Sequence, residues 1–109
     1  MNRLISLRSE QDIKELLRKG RPLENSFFKV IYKNRAAGRG RLLLVVSKTV
    51  SKKAVIRNRL RRRMREWIRK QDVRTGGVDL AVLVKKPAAT VLRKDFYKEL
   101  FALYEKIPK

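Results

Sequence analysis

Cysteine and histidine are both absent from this chain of 109 residues. The absence of cysteine excludes disulfides and thiolate zinc sites. The absence of histidine removes the commonest general base, the Ser–His and Cys–His nucleophile pairs and the usual transition-metal ligand. From these residue types we name no catalytic residue and no metal ligand in the sequence.

Acidic residues are scarce. Ten Asp and Glu stand against thirty Lys and Arg, which gives a net charge of +20 and a pI near 11.3. In so small a chain, this excess of positive charge is typical of a nucleic-acid-binding protein. The acids are also scattered along the sequence, whereas a protein nuclease that uses two metal ions needs clustered carboxylates. A self-sufficient nuclease is the alternative that cleavage by the protein alone would support.

Long apolar runs are missing as well. No stretch approaches the roughly 20 apolar residues that span a bilayer, so a membrane is not a predicted partner. The first eight residues, Met-Asn-Arg-Leu-Ile-Ser-Leu-Arg, interrupt their few apolar side chains with charge and do not read as a signal peptide. We expect a cytoplasmic protein.

Hydrophobic residues nevertheless make up 43% of the chain. That share is enough for a compact core and argues against a disordered basic tail. The length predicts a single domain, residues 1–109.

Apolar periodicity predicts the first two elements. A helix runs from about Glu10 to Lys19, between an N-cap at Ser9 and a stop at Gly20. Residues 26–33 then alternate as a strand. One face of that strand is apolar and should point to the core, and the other is mixed and should point outward; these are, respectively, Phe28, Val30, Tyr32 and Phe27, Lys29, Ile31, Lys33.

Four further elements follow a turn at residues 34–40. Residues 42–46 are continuously apolar and should lie in the middle of a sheet, and residues 78–84 form another strand. A last helix, about 91–106, takes Thr90 as N-cap and buries residues at helical spacing: Leu92, Phe96, Leu100, Leu103 and Tyr104. The sequence leaves room for one short extra strand around Val50.

The remaining helix carries the main functional signal. Eleven of the thirty basic residues fall between Ser47 and Lys70, with Glu66 as the only acid. On a helical wheel, one side of this helix is apolar, comprising Ile56, Leu60, Met64, Trp67 and Ile68. The opposite side carries Asn58, Arg59, Arg62, Arg63, Arg65, Arg69 and Lys70. Arginine binds phosphate bidentately and stacks on bases, so this side predicts an RNA-binding surface.

Several segments together resemble the bacterial ribonuclease P protein subunit. They are Val46-Ser47-Lys48, the run Ala-Val-Ile-Arg-Asn-Arg-Leu-Arg-Arg at 54–62, and Arg65-Glu66. Supporting matches are Gly20, the segment 25–28, Asp79 and Lys85-Lys86-Pro87. The resemblance implies an α+β fold: a single-domain αβββαβα sandwich with a central sheet. In that fold, which is shared with a domain of a ribosomal protein, a left-handed crossover joins the Arg-rich helix.

Membership would imply an accessory subunit of an RNA enzyme. Its partners would be the catalytic RNA and precursor tRNA, with no obligate protein partner. The RNA, which holds most of the Mg²⁺, would remove the 5′ leader. Carried onto this sequence, the contacts to the catalytic RNA would be Lys48, Lys52, Lys53, Arg57, Asn58, Arg59, Arg61, Arg62, Arg65 and Arg69.

The resemblance also implies a cleft between the first helix and the sheet that holds the single-stranded leader. Its lining would be Ile13, Leu17, Phe27, Lys29 and Ile31. The family often has aromatic residues at the two helix positions, where this chain has Ile13 and Leu17, so apolar contact would replace base stacking there. A ribosomal or other structural RNA-binding protein fits the composition equally well, and only the motif favours ribonuclease P.

Overall fold

A computed structural model of the chain describes residues 5–34, 40–70 and 78–107. The predicted turn at 34–40 therefore lies almost entirely outside the described residues. The strands are β1 (Ile5–Ser6), β2 (Arg21–Glu24), β3 (Phe28–Asn34), β4 (Arg41–Val45) and β5 (Val78–Val84). The helices are α1 (Glu10–Lys19), α2 (Ala54–Lys70) and α3 (Arg93–Tyr104), and a 3₁₀ turn (Lys86–Ala89) precedes α3.

The five strands form one mixed sheet in the order β1-β4-β5-β3-β2. Strand β5 is central; it pairs in parallel with β4 and antiparallel with β3. Because β4 and β5 are parallel neighbours, the chain crosses over between them, and α2 lies in that connection. Strand β4 is paired on both sides, as expected from its apolar run, although the middle position itself belongs to β5.

The sheet separates two apolar layers. On one face, Phe28 and Val82 pack with Met64 of α2 and Phe96 of α3, all at 2% exposure or less. On the other face a smaller cluster, Leu7, Leu16, Ile31 and Ala81, lies beneath α1. Since successive strand residues point to opposite faces, α2 and α3 lie on one side of the sheet and α1 on the other. This confirms the α+β architecture.

Helix α1 begins and ends as predicted. Ser9 caps it, with its Oγ accepting a hydrogen bond from the Asp12 backbone at 3.4 Å. At the other end Gly20 donates its backbone N–H to the Leu16 carbonyl. A Cβ at Gly20 would lie 2.4 Å from Ile31 Cγ2 and 2.5 Å from that carbonyl oxygen. Glycine is required here because the helix end and β3 approach so closely.

Apolar patterning did not locate two of the strands, although the αβββαβα order already implied three strands between α1 and α2, and one prediction was wrong. The segment Arg-Pro-Leu-Glu of β2 carries no alternation signal, yet it pairs along β3 from Arg21 opposite Tyr32 to Glu24 opposite Lys29. Strand β1 has only two residues, too few for a pattern. The short extra strand expected around Val50 is instead a turn, in which Val50 itself is buried.

The start of α3 also differs from the prediction. Thr90 caps the C-terminal end of the 3₁₀ turn, and Leu92 is the residue that precedes the helix. Leu92 was predicted to be buried, but it is 65% exposed. Because the 3₁₀ turn comes first, the helix begins only at Arg93, and Leu92 is not part of its buried side. Phe96, Leu100 and Leu103 form that buried side as predicted.

Candidate nucleic-acid interface

The inner side of α2 is fixed firmly to the protein. Leu60, Met64 and Ile68 are buried, and Ile56 and Trp67 are half-buried against the same core. The Trp67 ring meets Phe101 and Tyr104 of α3 edge to face, with centroids 6.2 and 5.4 Å away. The predicted apolar side of this helix is confirmed, so its outer side is presented by a rigid element.

The outer side of α2 is cationic and open. Asn58, Arg59, Arg62 and Arg65 are exposed, and Arg61 is half-exposed; we call these five residues the arginine face. Within the part of the chain that the structure describes, no acidic side chain forms an ion pair with this face. Arg61 donates a hydrogen bond to the Asn58 side-chain oxygen. The face therefore keeps its full positive charge toward solvent.

Two arginines of α2 have structural partners instead. Arg57 is half-buried and donates from Nη1 to the Ser51 carbonyl at 2.9 Å, which pins the preceding turn to the helix. Arg63 was predicted on the polar side, but its guanidinium carbon lies 5.1 Å from the centre of the Phe96 ring. That distance is a cation–π contact and turns Arg63 toward α3.

The turn before α2 adds three exposed cations, Lys48, Lys52 and Lys53. Its backbone is ordered locally: the Val50 N–H donates to the Ser47 carbonyl, and Ser51 Oγ accepts from the Lys53 N–H at 3.2 Å. The predicted lysines thus lie beside the first turn of α2. The side chain of Arg69, the last predicted member of this set, lies outside the described residues.

On the opposite side of the sheet, a buried ion pair connects α1 to the strands; we call an ion pair between α1 and the sheet a tie. Asp79 of β5 is 3% exposed. Arg41 of β4 donates to both of its carboxylate oxygens, from Nε at 3.0 Å and from Nη2 at 2.6 Å. The same guanidinium donates from Nη1 to Asp12 of α1 at 2.7 Å. The hydrogen bond to Asp79 is the main cause that raises the pKa of Arg41 above its ordinary value.

A second tie lies beside the first. Lys33 of β3 donates to Glu15 of α1 at 2.7 Å, and this hydrogen bond holds the pKa of the Glu15 carboxyl below its usual value. Lys33 lies opposite Asp79 in the strand register. Both ties therefore hold the same flank of α1, at the end of the sheet where β4 and β5 begin.

The other flank of α1 opens onto the sheet. Ile13 is half-buried there, Leu17 is 43% exposed, and Lys29 of β3 is half-buried. Leu43 and Leu83, which the sequence analysis did not select, are partly buried against the same cluster as Ile13. Strand alternation could have identified Leu43 and Leu83, because each alternates with residues of β4 or β5 that face the larger core. We keep the name cleft for this open flank.

Two predicted cleft residues differ from expectation. Ile31 was predicted to point outward, but it is 6% exposed beneath α1, because the helix end at Gly20 covers it. Phe27 is half-buried and packs against the larger core on the α2 side. It precedes the first residue of β3, so strand alternation does not set its direction.

The turn that holds Phe27 is built around Asn25. The Asn25 side-chain oxygen accepts from the backbone N–H groups of Phe27 and Phe28, each at 2.9 Å, and its amide donates to the Glu99 carbonyl of α3. Lys85 donates to the Asn25 carbonyl at 2.7 Å. Two segments of the family resemblance, 25–28 and 85–87, thus meet in one turn, which positions β3.

Comparisons with known proteins agree with this geometry. A family model described as Ribonuclease P matches residues 1–108. The ribonuclease P protein component of Chromobacterium violaceum is 35% identical over 85 residues, covering 78% of this chain and 70% of the relative. That of Dictyoglomus thermophilum is 36% identical over 93 residues, covering 84% and 76%.

Solved structures of two further proteins have the same fold. The ribonuclease P protein of Thermotoga maritima superposes with a TM-score of 0.83 at 28% identity, over 95% of this chain and 98% of that one. The protein from Staphylococcus aureus gives a TM-score of 0.85 at 23% identity, over 94% of each chain. The second likeness concerns the fold alone.

Proposed function

The chain belongs to the ribonuclease P protein family, and from that premise we propose that it is the protein component of this tRNA-processing enzyme. In the proposal, the arginine face and the lysines before α2 bind the catalytic RNA. The cleft beside α1 receives the 5′ leader of precursor tRNA. The RNA carries out the Mg²⁺-dependent hydrolysis, and the protein acts as an accessory subunit.

The observation that carries the proposal is the arginine face itself. Its cations lie on a helix braced by Leu60, Met64 and Ile68, and no described carboxylate neutralises them. The braced helix sets the spacing of these guanidiniums, and the planar fork of each one loses less freedom per hydrogen bond formed with a phosphate than a lysine does. Neutralised RNA phosphates also need fewer Mg²⁺ ions to bring enzyme and substrate together.

The chemistry of the cleft suits a single-stranded leader. Leu17 presents an exposed apolar side chain, and Ile13 presents a half-buried one. Lys29 adds a positive charge on the sheet side of the cleft. Aliphatic surface contacts unstacked bases, and a nearby cation attracts their phosphates. Precursor would then bind better than mature tRNA, which lacks the leader.

The acidic residues of the protein fit the assignment of Mg²⁺ mainly to the RNA subunit. Asp12 and Asp79 both accept from Arg41, Glu15 accepts from Lys33, and Glu24 pairs with Lys85 at 2.5 Å. In residues 5–34, 40–70 and 78–107, no three metal-ligating side chains are grouped so that they could hold an ion. The proposal names no catalytic residue in this chain.

The proposal also places the protein in the cytoplasm, with no obligate protein partner.

Among residues 5–34, 40–70 and 78–107, the structure contains no helix that could span a bilayer.

Reconstitution tests the proposal. The protein is added to a bacterial ribonuclease P RNA, and precursor-tRNA cleavage is measured while Mg²⁺ is lowered to a concentration at which the RNA alone is inactive. We expect cleavage only when both components are present. A structural RNA-binding protein such as a ribosomal one would leave the RNA inactive, and cleavage by the protein alone would identify a self-sufficient nuclease.

A further inference from the structure

A basic pocket lies where α1 ends and β2 begins. Its volume is about 330 Å³, and its described lining consists of Lys19, Arg21, Tyr32, Lys33 and Asn34. None of these residues belongs to the arginine face or to the predicted cleft. The pocket therefore has no role in the function proposed so far.

The charges of this pocket are only partly compensated. Glu15 is the acid beside the pocket. Its carboxylate accepts a hydrogen bond from Lys33 at 2.7 Å and forms a longer ion pair with Lys19 at 3.9 Å. Arg21 is exposed and forms no ion pair with an acid in the described part of the chain. Three cations thus line the pocket, and only two of them pair with the nearby carboxylate, so an anion placed among them would gain favourable interactions.

The pocket is separate from both surfaces of the proposed function. Lys33 and Lys29 point to the same face of β3 but lie four residues apart, about 13 Å along a strand. Between them α1 covers Ile31, which is 6% exposed. The cleft therefore opens on one flank of α1, and the pocket lies at the end of the sheet where β3 ends and β2 begins. There Lys33 points to the α1 face, while Tyr32, which packs in the larger core, and Arg21 opposite it point to the other face.

We propose that this pocket binds a phosphate group of an RNA backbone. A phosphodiester fits because Arg21 can offer a planar pair of donors and the ammonium groups of Lys19 and Lys33 add positive charge to the same lining. A stacked base fits less well, because the one aromatic ring of the described lining, Tyr32, is 9% exposed. The volume suits a phosphate together with its sugar. The inference rests on the proposed function only in that the ligand is RNA.

Two pairs of matched variants test the pocket. Arg21→Gln removes a lining cation, and Arg18→Gln removes an exposed cation of the same helix end that does not line the pocket. Glu15→Gln removes the competing carboxylate, and Glu10→Gln removes an exposed acid of the same helix. Affinity is measured against salt for three RNAs: the catalytic RNA with protein alone, and precursor and mature tRNA with the holoenzyme.

We expect Arg21→Gln to weaken binding of at least one RNA about fivefold, the size of a lost charge contact of ~1 kcal/mol. The salt slope for that RNA should fall by about 0.7 to 0.9. Glu15→Gln should tighten the same complex, and the Arg18 and Glu10 variants should change it much less. The RNA that responds identifies the source of the phosphate.

Equal effects of Arg21→Gln and Arg18→Gln on all three RNAs would contradict phosphate binding in the pocket, because the loss of affinity would then reflect net charge alone. The pocket would also be overturned if inorganic phosphate protected Arg21 from chemical modification while no RNA affinity depended on Arg21. Failure of the proposed function looks different. In that case the wild-type protein itself would show no preference for the catalytic RNA over unrelated RNA.

Discussion

Adjacent residues on the helices of this protein have different roles, and the difference comes from the direction of each side chain. Arg62 is exposed and Arg63 lies over an aromatic ring. Leu16 is 1% exposed and Leu17 is 43% exposed. Within each pair the two residues are of the same type and adjacent in sequence. A difference between their variants in stability or RNA affinity therefore reflects the surroundings of each side chain.

Arg62→Ala should weaken binding to the catalytic RNA and lower the salt slope by about 0.7 to 0.9, because one phosphate contact is lost. Arg63→Ala should change the slope less and instead lower the free energy of unfolding by about 0.5 to 1 kcal/mol, because its contact with Phe96 is removed. Salt titrations of binding and urea unfolding of both variants measure the two effects. Identical slopes for the two variants would contradict the assignment of Arg62 to the RNA.

The two leucines of α1 should separate stability from leader binding. Leu16→Ala should cost about 2 to 5 kcal/mol of unfolding free energy, because it leaves a cavity under α1. Leu17→Ala should cost about 0.5 kcal/mol or less, as expected of a surface position, yet weaken precursor binding by the holoenzyme. Binding of mature tRNA serves as the control, and equal losses for precursor and mature tRNA would remove Leu17 from the cleft.

Among the elements, α1 is the one whose placement decides the shape of the cleft. Both of its ion-pair ties lie on one flank, and the apolar flank with Ile13 and Leu17 is left facing the sheet. Arg41 links Asp12 of this helix to the buried Asp79 of β5. The width of the cleft is therefore set from the far side of the helix.

Asp12→Asn tests this arrangement, since it removes the negative charge from the tie to α1 and keeps the buried pair of Arg41 with Asp79. We expect precursor affinity to fall by up to about fivefold, the equivalent of ~1 kcal/mol, while affinity for the catalytic RNA stays unchanged. Glu10→Gln is the control, because it removes a charge from the same first turn without loss of a tie to the sheet. If both variants bind precursor equally well, the tie does not position the helix.

The elements also show what the sequence could reveal and what it could not. The bounds of α1 and the buried side of α2 followed from capping residues and helical spacing. Strand β2 was missed because an edge strand such as Arg-Pro-Leu-Glu needs only backbone pairing with β3 and no apolar pattern. Ile31 was misplaced because alternation divides a strand into two faces without saying which neighbour covers each.

The candidate site likewise has parts that the sequence predicts and parts that it does not. The arginine face could be predicted from the residues because charge and spacing lie within one helix. The turn around Asn25 could not be predicted, because it joins residues up to 74 positions apart. The direction of Phe27 follows from that turn.

At the scale of the whole molecule, net charge and acid pairing act together. The ten acids are outnumbered three to one, and those with ion pairs hold α1 or the turn before β3 in place. The pKa values of Glu15 and Glu24 are lowered, in each case mainly by a hydrogen bond from a lysine. A carboxyl whose pKa is lower in the folded protein stabilises the fold above its ordinary pKa and loses that contribution as pH falls.

We therefore expect stability to decrease as the pH falls below about 4.5, the ordinary value for these two carboxyls. Urea unfolding between pH 7 and pH 3 measures this decrease. The double variant Glu15→Gln, Glu24→Gln should show a shallower pH dependence, because it has lost both lowered carboxyls. An identical curve for the variant would assign the acid sensitivity to other groups.

The first turn of α2 contains no acidic residue, although Lys52 and Lys53 precede it and the start of a helix favours negative charge. Without RNA, the uncompensated positive charge lowers the stability of this end of the helix relative to one with an acidic first turn. Bound phosphates would supply the missing negative charge. The amount of protein that survives in a cell would then follow the amount of its RNA, because unpartnered copies are degraded faster than assembled ones.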